Sequence, residues 1–205
     1  MPHDHHHGDA WDDAYRGGER MWSGEPNTAL VAEIADDEPG RALDVGCGEG
    51  ADAIWLAQRG WEVTALDPSA VALERARAEA ADAGVAIEWV HAGLVEAEFP
   101  AHTFDLVSAF YPALPKRADG GTEQALLRAV APGGTLLVVY HADMDAERAK
   151  AHGFDPADYV GIADVRAALD PDWEIAVDEQ RERRVTEGRG AEHRLDQILR
   201  VRGPR

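Results

Sequence analysis

Apolar strand-like runs alternate with helical stretches along most of this chain, which predicts an α/β fold with a mostly parallel sheet and helices on both faces. Three observations carry the prediction. Short apolar runs recur between helical patterns from residue 41 to residue 140. A glycine-rich turn, Gly46-Cys47-Gly48-Glu49-Gly50, joins the first run to a helix. An acidic residue, Asp67, closes the second run. Strands separated by helices of this length imply right-handed crossovers, which set the strands parallel and leave ligands to bind beyond their carboxyl ends.

Taken in order, residues 1–10 hold His3, His5, His6 and His7 with Asp4 and Asp9. Clustered imidazoles and carboxylates bind metal only loosely without fixed geometry, so this stretch reads as a disordered tail and no metal site is expected. Residues 11–40 read as an N-terminal flap and helix. Trp11, Tyr15, Arg16, Met21 and Trp22 are mixed with charges and glycines without a period, so the flap packs on the body or closes over a ligand. Residues 28–35 place Leu30, Val31 and Ile34 on one helical face, with Asn27 as N-cap.

Residues 41–205 form the main domain. Strands are expected over 42–45, 62–66, 87–91, 104–110 and 135–140, and helices from Ala51, over 69–83, 123–130 and 162–169. Gly84 ends the helix before it, and Pro132-Gly133-Gly134 makes a sharp stop before the fifth strand. Two last runs, 174–185 and 193–201, are joined by Thr186-Glu187-Gly188-Arg189-Gly190 and read as a hairpin.

Composition narrows the function. At 205 residues the chain holds one sizeable core, and no apolar run approaches the roughly 20 residues that cross a bilayer. With 39 acidic against 20 basic residues, a net charge of −19 repels phosphate backbones and acidic lipid, so neither nucleic acid nor membrane is an expected partner. The basic cluster of Arg181, Arg183 and Arg184 is interleaved with glutamates and reads as a solvated strand edge. The single cysteine, Cys47, excludes an internal disulfide and fits a reducing, cytoplasmic setting.

The glycine turn lets the backbone take positive φ and brings it close to a ligand. Asp67 lies about 20 residues past the first glycines, where a carboxylate grips a ribose diol. Gly46-x-Gly48-x-x-Ala51 also satisfies the dinucleotide fingerprint, so a nicotinamide enzyme is the competing reading. Asp44 decides against it, because a carboxylate two residues before the first glycine opposes a dianionic pyrophosphate. A phosphate-free ligand carrying an ammonium and a sulfonium suits that strand end.

Leu43-Asp44-Val45-Gly46-Cys47-Gly48-Glu49-Gly50, then Ala65-Leu66-Asp67 and Phe104-Asp105-Leu106-Val107, resemble the class I S-adenosylmethionine-dependent methyltransferases over roughly residues 41–140. The segment from Tyr15-Arg16 to Met21-Trp22-Ser23-Gly24-Glu25-Pro26-Asn27 is similar to the small-molecule branch with the tellurite-resistance TehB-like and thiopurine methyltransferases. The resemblance implies a Rossmann-like three-layer sandwich whose seven-stranded sheet ends in an antiparallel hairpin, the last strand lying beside the fifth. S-adenosylmethionine is the implied cofactor. The implied contacts are Gly46, Cys47 and Gly48 for the methionyl part, Asp67 for the ribose, and Gly93 and Leu94 for adenine; Asp44, read from its charge, is expected in the same site, with Trp22 and Phe110 beside them. Arg16, Tyr15 and Tyr111 are the implied substrate contacts.

Two departures from that pattern stand out. His91-Ala92-Gly93-Leu94 lacks the acid that many members place at the end of strand three, so adenine is expected to rest on backbone N–H groups and apolar packing. The segment after strand four, Phe110-Tyr111-Pro112-Ala113, lacks the motif of amino-methylating nucleic-acid enzymes. The expectation is therefore methyl transfer to a small thiol, chalcogen oxyanion or hydroxyl, by a monomer or homodimer, with a cofactor-binding regulator without turnover as the alternative. Methyl transfer needs alignment and exclusion of water, plus a base where the acceptor must lose a proton. His141, at the end of strand five, is the candidate base and Tyr111 the next; His91, His102, His152 and His193 receive no role.

Overall fold

The computed structural model describes residues 5–18, 20–151, 153–183, 188 and 190–205. The strands are β1 (Arg41–Val45), β2 (Glu62–Asp67), β3 (Glu88–His91), β4 (Phe104–Phe110), β5 (Val130–His141), β6 (Glu174–Glu182) and β7 (Leu195–Arg202), in one sheet of order β3-β2-β1-β4-β5-β7-β6. β1 to β5 pair in parallel; β7 lies antiparallel between β5 and β6. The helices are α1 (His5–Arg16), α2 (Thr28–Ile34), α3 (Ala51–Gln58), α4 (Ala70–Asp82), α5 (Gly121–Ala129), α6 (Ala146–Ala151) and α7 (Ile162–Ala168). This is the expected sandwich, with the last strand inserted beside the fifth.

Strand alternation sorts the core into two layers. Leu43, Val45, Leu136 and Val138 pack with Leu126 of α5 and Ile162 and Val165 of α7. Their neighbours Ala42, Leu137 and Val139 pack with Leu30 and Ile34 of α2 and Trp55 and Leu56 of α3. β1 and β4 are buried along nearly their whole length, which is why they read as continuous apolar runs. The glycine turn leaves β1 at its carboxyl end, between the parallel neighbours β2 and β4.

Several expectations change. His5–Ala10, expected as a disordered tail, lie in α1, whose Trp11 and Tyr15 are four residues apart and whose length packs on α4. Histidines and a glycine argue weakly for a helix; tertiary packing overrides that preference. Pro132-Gly133-Gly134 does not stop the chain before β5. The strand runs through it with a register shift against β4, where a Cβ on Gly134 would press on the carbonyls of Ala131, Asp105 and Phe104. Asn27 does not cap α2 with its side chain; it donates to Asp52 instead. Val185, Thr186, Glu187 and Arg189 of the expected hairpin, with His152 and Arg184, lie outside the described residues. Among those residues, no helix is long and apolar enough to cross a membrane.

Candidate functional site

A cavity of about 1110 Å³ opens at the carboxyl ends of the parallel strands, lined by the glycine turn, the ends of β2, β4 and β5, the loop after β3 and residues 22–28. The turn leaves β1 with Gly46, Gly48 and Gly50 all at positive φ (72°, 53° and 85°). A side chain there would be strained in any case. At Gly48 a Cβ would also come within 2.9 Å of Tyr15 Oη and 3.2 Å of Trp22 Nε1.

The turn's own donors are largely spent inside the protein. Gly46 N and Cys47 N both donate to Leu66 O at 2.9 and 3.0 Å, Gly50 N to Cys47 O at 2.9 Å, and Gly48 N to Asp67 Oδ2 at 2.9 Å. A phosphate cradle needs such N–H groups free. Acids surround the turn as well. Asp44 is buried, with Oδ1 accepting from Ser108 Oγ at 3.1 Å and Oδ2 holding no partner among the described residues. Asp52 accepts from Asn27 N and Nδ2, both at 2.7 Å. Asp67 also takes the N–H of Ser69 at 2.8 Å.

These carboxyls are out of water and close together, which opposes their ionisation. Burial pushes Asp52 and Asp67 up to about 6. Asp44 goes well above the usual carboxylate range, first through burial and then through the charge of Asp52. A cationic ligand relieves this arrangement and a pyrophosphate aggravates it. An ammonium at the strand end would give Asp44 Oδ2 the donor it lacks, and Asp67, with two lone pairs on each oxygen, keeps acceptor capacity for a diol. The residues therefore fit a cofactor with an amino-acid end and a ribose.

The N-terminal segment lies over the turn. Glu49 receives the N–H of Met21 and of Trp22 and pairs with Arg75 Nη1 at 2.9 Å, while Arg75 Nη2 donates to Tyr15 O at 2.7 Å. Trp22 Nε1 donates to Tyr15 Oη at 2.9 Å. Asp12 of α1 accepts from Ser69 Oγ and Val71 N at the start of α4. Arg16 is not part of this cover: it is exposed, pairs with Asp12 and Asp13, and does not line the cavity.

On the β3 side Gly93 and Leu94 line the cavity, and a Cβ on Gly93 would run into the carboxylate of Glu96. Glu96, three residues past Gly93, also lines the cavity. Phe110 and Cys47 complete this part of the lining; burial pushes the Cys47 thiol up, so it is no reactive thiolate.

The far end of the cavity holds a polar cluster. Tyr111, immediately after β4, sits at φ 50°, unusual for a side chain of its size. Its Oη donates to Asp196 Oδ1 at 2.9 Å and accepts from Arg183 Nε at 3.0 Å. His141 stacks between Tyr111 and His193, with ring centroids 4.1 and 3.9 Å away. His193 Nδ1 lies 3.1 Å from Asp143 Oδ1. Arg183, expected on a solvated strand edge, is 7% exposed and donates to Gly190 O. Sequence spacing missed Arg183, His193 and Asp196 because the antiparallel placement of β7 alone brings them to Tyr111 and His141.

Residues 42–134 match the family described as Methyltransferase domain. The matched stretch carries β1 to β4, the glycine turn and Asp67. Over 98 residues, 47% of this chain and 48% of the relative, the sequence is 45% identical to an uncharacterised methyltransferase of Mycobacterium tuberculosis. It is 30% identical over 123 residues (58% and 54%) to the 2-heptyl-1-hydroxyquinolin-4(1H)-one methyltransferase of Mycobacteroides abscessus. The matches thus span about half the length of these curated relatives. The fold is similar to that of the N-methyltransferase NodS from Bradyrhizobium japonicum in complex with S-adenosyl-L-homocysteine, with a TM-score of 0.71 at 18% identity, covering 96% of this chain and 98% of that one.

Proposed function

We propose that this chain transfers the methyl group of S-adenosylmethionine to a small-molecule acceptor, a hydroxyl first and a thiol or chalcogen oxyanion next. The observation that carries the reading is the buried Asp44 Oδ2 without a partner beside a glycine turn whose donors are already used. That site suits an ammonium and repels a pyrophosphate. In this reading Asp44 takes the methionyl ammonium, Asp67 the ribose, Gly93, Leu94 and Glu96 the adenine, and Trp22 with Tyr15 closes the turn from above. The cofactor supplies a methyl group activated by its sulfonium; the protein's part is alignment and exclusion of water.

A cavity of about 1110 Å³ exceeds the upper range for one small ligand, so it has room for cofactor and acceptor together. The acceptor end is the cluster of Tyr111, His141, His193 and Arg183. A relative named for a hydroxyquinolone supports placing a hydroxyl first. The likeness to the TehB-like and thiopurine branch belongs to the same proposal, supported by the N-terminal segment lying over the glycine turn, as does a cytoplasmic setting.

The test is calorimetry and turnover together. S-adenosylhomocysteine release is followed with phenol, thiol and chalcogen oxyanion acceptors, and cofactor affinity is compared between the wild type and Asp67→Ala. Binding weakened at least tenfold in the variant, with release by the wild type, is the expected result. Unchanged affinity would remove Asp67 from the site; binding without turnover would point to a regulator. NADH fluorescence enhancement would restore the nicotinamide reading.

A further inference from the structure

We infer that His193, oriented by Asp143, is the group that takes the proton from a hydroxyl acceptor, with His141 as the platform it stacks on. The inference deepens the proposed function and rests on it. Sequence order hides the pair: Asp143 follows β5 and His193 precedes β7, 50 residues apart. Both line the cavity.

Both carboxylate oxygens of Asp143 are engaged. Its Oδ2 accepts the N–H of Arg194 at 2.7 Å and its Oδ1 meets His193 Nδ1 at 3.1 Å. Slight burial works against its ionisation, yet these two contacts outweigh it and hold Asp143 below its usual range. An ionised carboxylate only accepts, so Nδ1 must be the nitrogen that carries hydrogen. Nε2 then holds the lone pair, and among the described residues nothing donates to it. A base held in one tautomer by a carboxylate is the arrangement that general-base catalysis requires.

His141 is the weaker base by the same criteria. Its Nδ1 is buried without a partner, and the nearest carboxylate oxygen, Asp196 Oδ1, is 3.7 Å away and already accepts from Tyr111. Burial lowers its affinity for a proton. Both ring faces are covered, by Tyr111 and by His193. The charged and titratable groups around the His193 ring are Asp143, His141 and Glu192, with Arg148 beside Glu192 and Arg183 and Asp196 across His141.

In the step itself, an oxygen lone pair of the acceptor forms the bond to the methyl carbon, the carbon–sulfur pair returns to sulfur, and the hydroxyl proton passes to His193 Nε2. The imidazolium is balanced by Asp143 until the proton leaves to solvent. A phenol of pKa about 10 is mostly protonated at neutral pH and needs this base, whereas an acidic nitrophenol is already ionised.

The experiment compares His193→Gln, Asp143→Asn and His141→Gln across a phenol series from phenol to dinitrophenol. For His193→Gln, kcat/KM on phenol should fall about 100-fold or more, within the usual range for a general base, and the loss should shrink toward none for dinitrophenol. S-adenosylhomocysteine affinity should stay at the wild-type value. Imidazole ¹⁵N spectra of the wild type should show His193 protonated at Nδ1 and bare at Nε2, a tautomer that Asp143→Asn disturbs. An equal loss across the series, a loss confined to His141→Gln, or an Nε2–H tautomer overturns the inference. Wild-type turnover of thiols but of no phenol overturns it and leaves methyl transfer standing. No turnover of any acceptor removes the proposed function, and this assignment with it.

Discussion

Asp44, Asp52 and Asp67 sit in a space that does not favour three carboxylates. Burial raises the proton affinity of all three above that of the unfolded chain; for Asp52 and Asp67 the contribution to the ligand-free fold is fully present below the ordinary carboxylate range near 3.8 and is lost as pH rises through about 6. For Asp52 and for Asp67 the loss is on the order of 2 to 3 kcal/mol at neutral pH. A cationic cofactor reverses the balance by favouring the ionised forms, so binding must release protons where the free carboxyls still hold them. Calorimetry in buffers of unlike ionisation enthalpy should show proton release on cofactor binding at pH 5.5 to 6 and much less at pH 8.5, with affinity falling as pH drops through 6. Equal proton release at both pH values would mean that the cation does not meet these acids. Asp44 and Asp67 were legible in the sequence because each lies at the carboxyl end of a strand at a fixed spacing from the glycines. Asp52 was not: one turn of helix hides it, and only Asn27, brought in by the N-terminal segment, gives it partners.

The N-terminal segment is the element that sequence periodicity described least well. It has no strong intrinsic preference for helix, yet α1 packs on α4, Asp12 occupies donors at the start of α4, and Glu49 of the glycine turn holds Met21 and Trp22. The position of that cover depends on contacts supplied by residues far along the chain, which no local pattern encodes. Arg16 illustrates the same point. The resemblance implied a substrate contact for it; in the ligand-free structure it pairs with Asp12 and Asp13, while Arg75 of α4 makes the inward contacts. Glu49→Gln removes the charge that pairs with Arg75 and leaves one acceptor oxygen for three donors. Charge-assisted hydrogen bonds of this kind contribute about 1.5 to 3 kcal/mol, so the variant should bind S-adenosylhomocysteine about 10- to 100-fold more weakly, chiefly through faster release. Stopped-flow displacement measures the release rate. An unchanged rate would show that the cover does not retain the cofactor.

At the scale of the whole molecule, the alternation of strands and helices was readable because the central strands are buried on both faces and their apolar runs are nearly unbroken. The meeting of Tyr111, His141, Arg183, His193 and Asp196 was not, since it requires the insertion of β7 between β5 and β6. Charge is the other global property, and two effects oppose each other in it. Ion pairs such as Arg200 with Asp37 and Arg181 with Glu33 favour the fold and weaken with salt. Each, where partly exposed, contributes about 1 kcal/mol or less. Against them stands a net charge of −19, whose self-repulsion is relieved by the same salt. With acids outnumbering bases about two to one, repulsion should win. The thermal midpoint of the ligand-free protein should therefore rise by a few degrees between 20 and 500 mM sodium chloride at pH 7.5, followed by circular dichroism. The same series with saturating S-adenosylmethionine should start from a higher midpoint, since a ligand confined to the folded state adds its binding free energy. A midpoint that falls with salt would show that the ion pairs around Glu33 and Asp37, which join α2 to the β6–β7 edge, govern stability instead of the net charge.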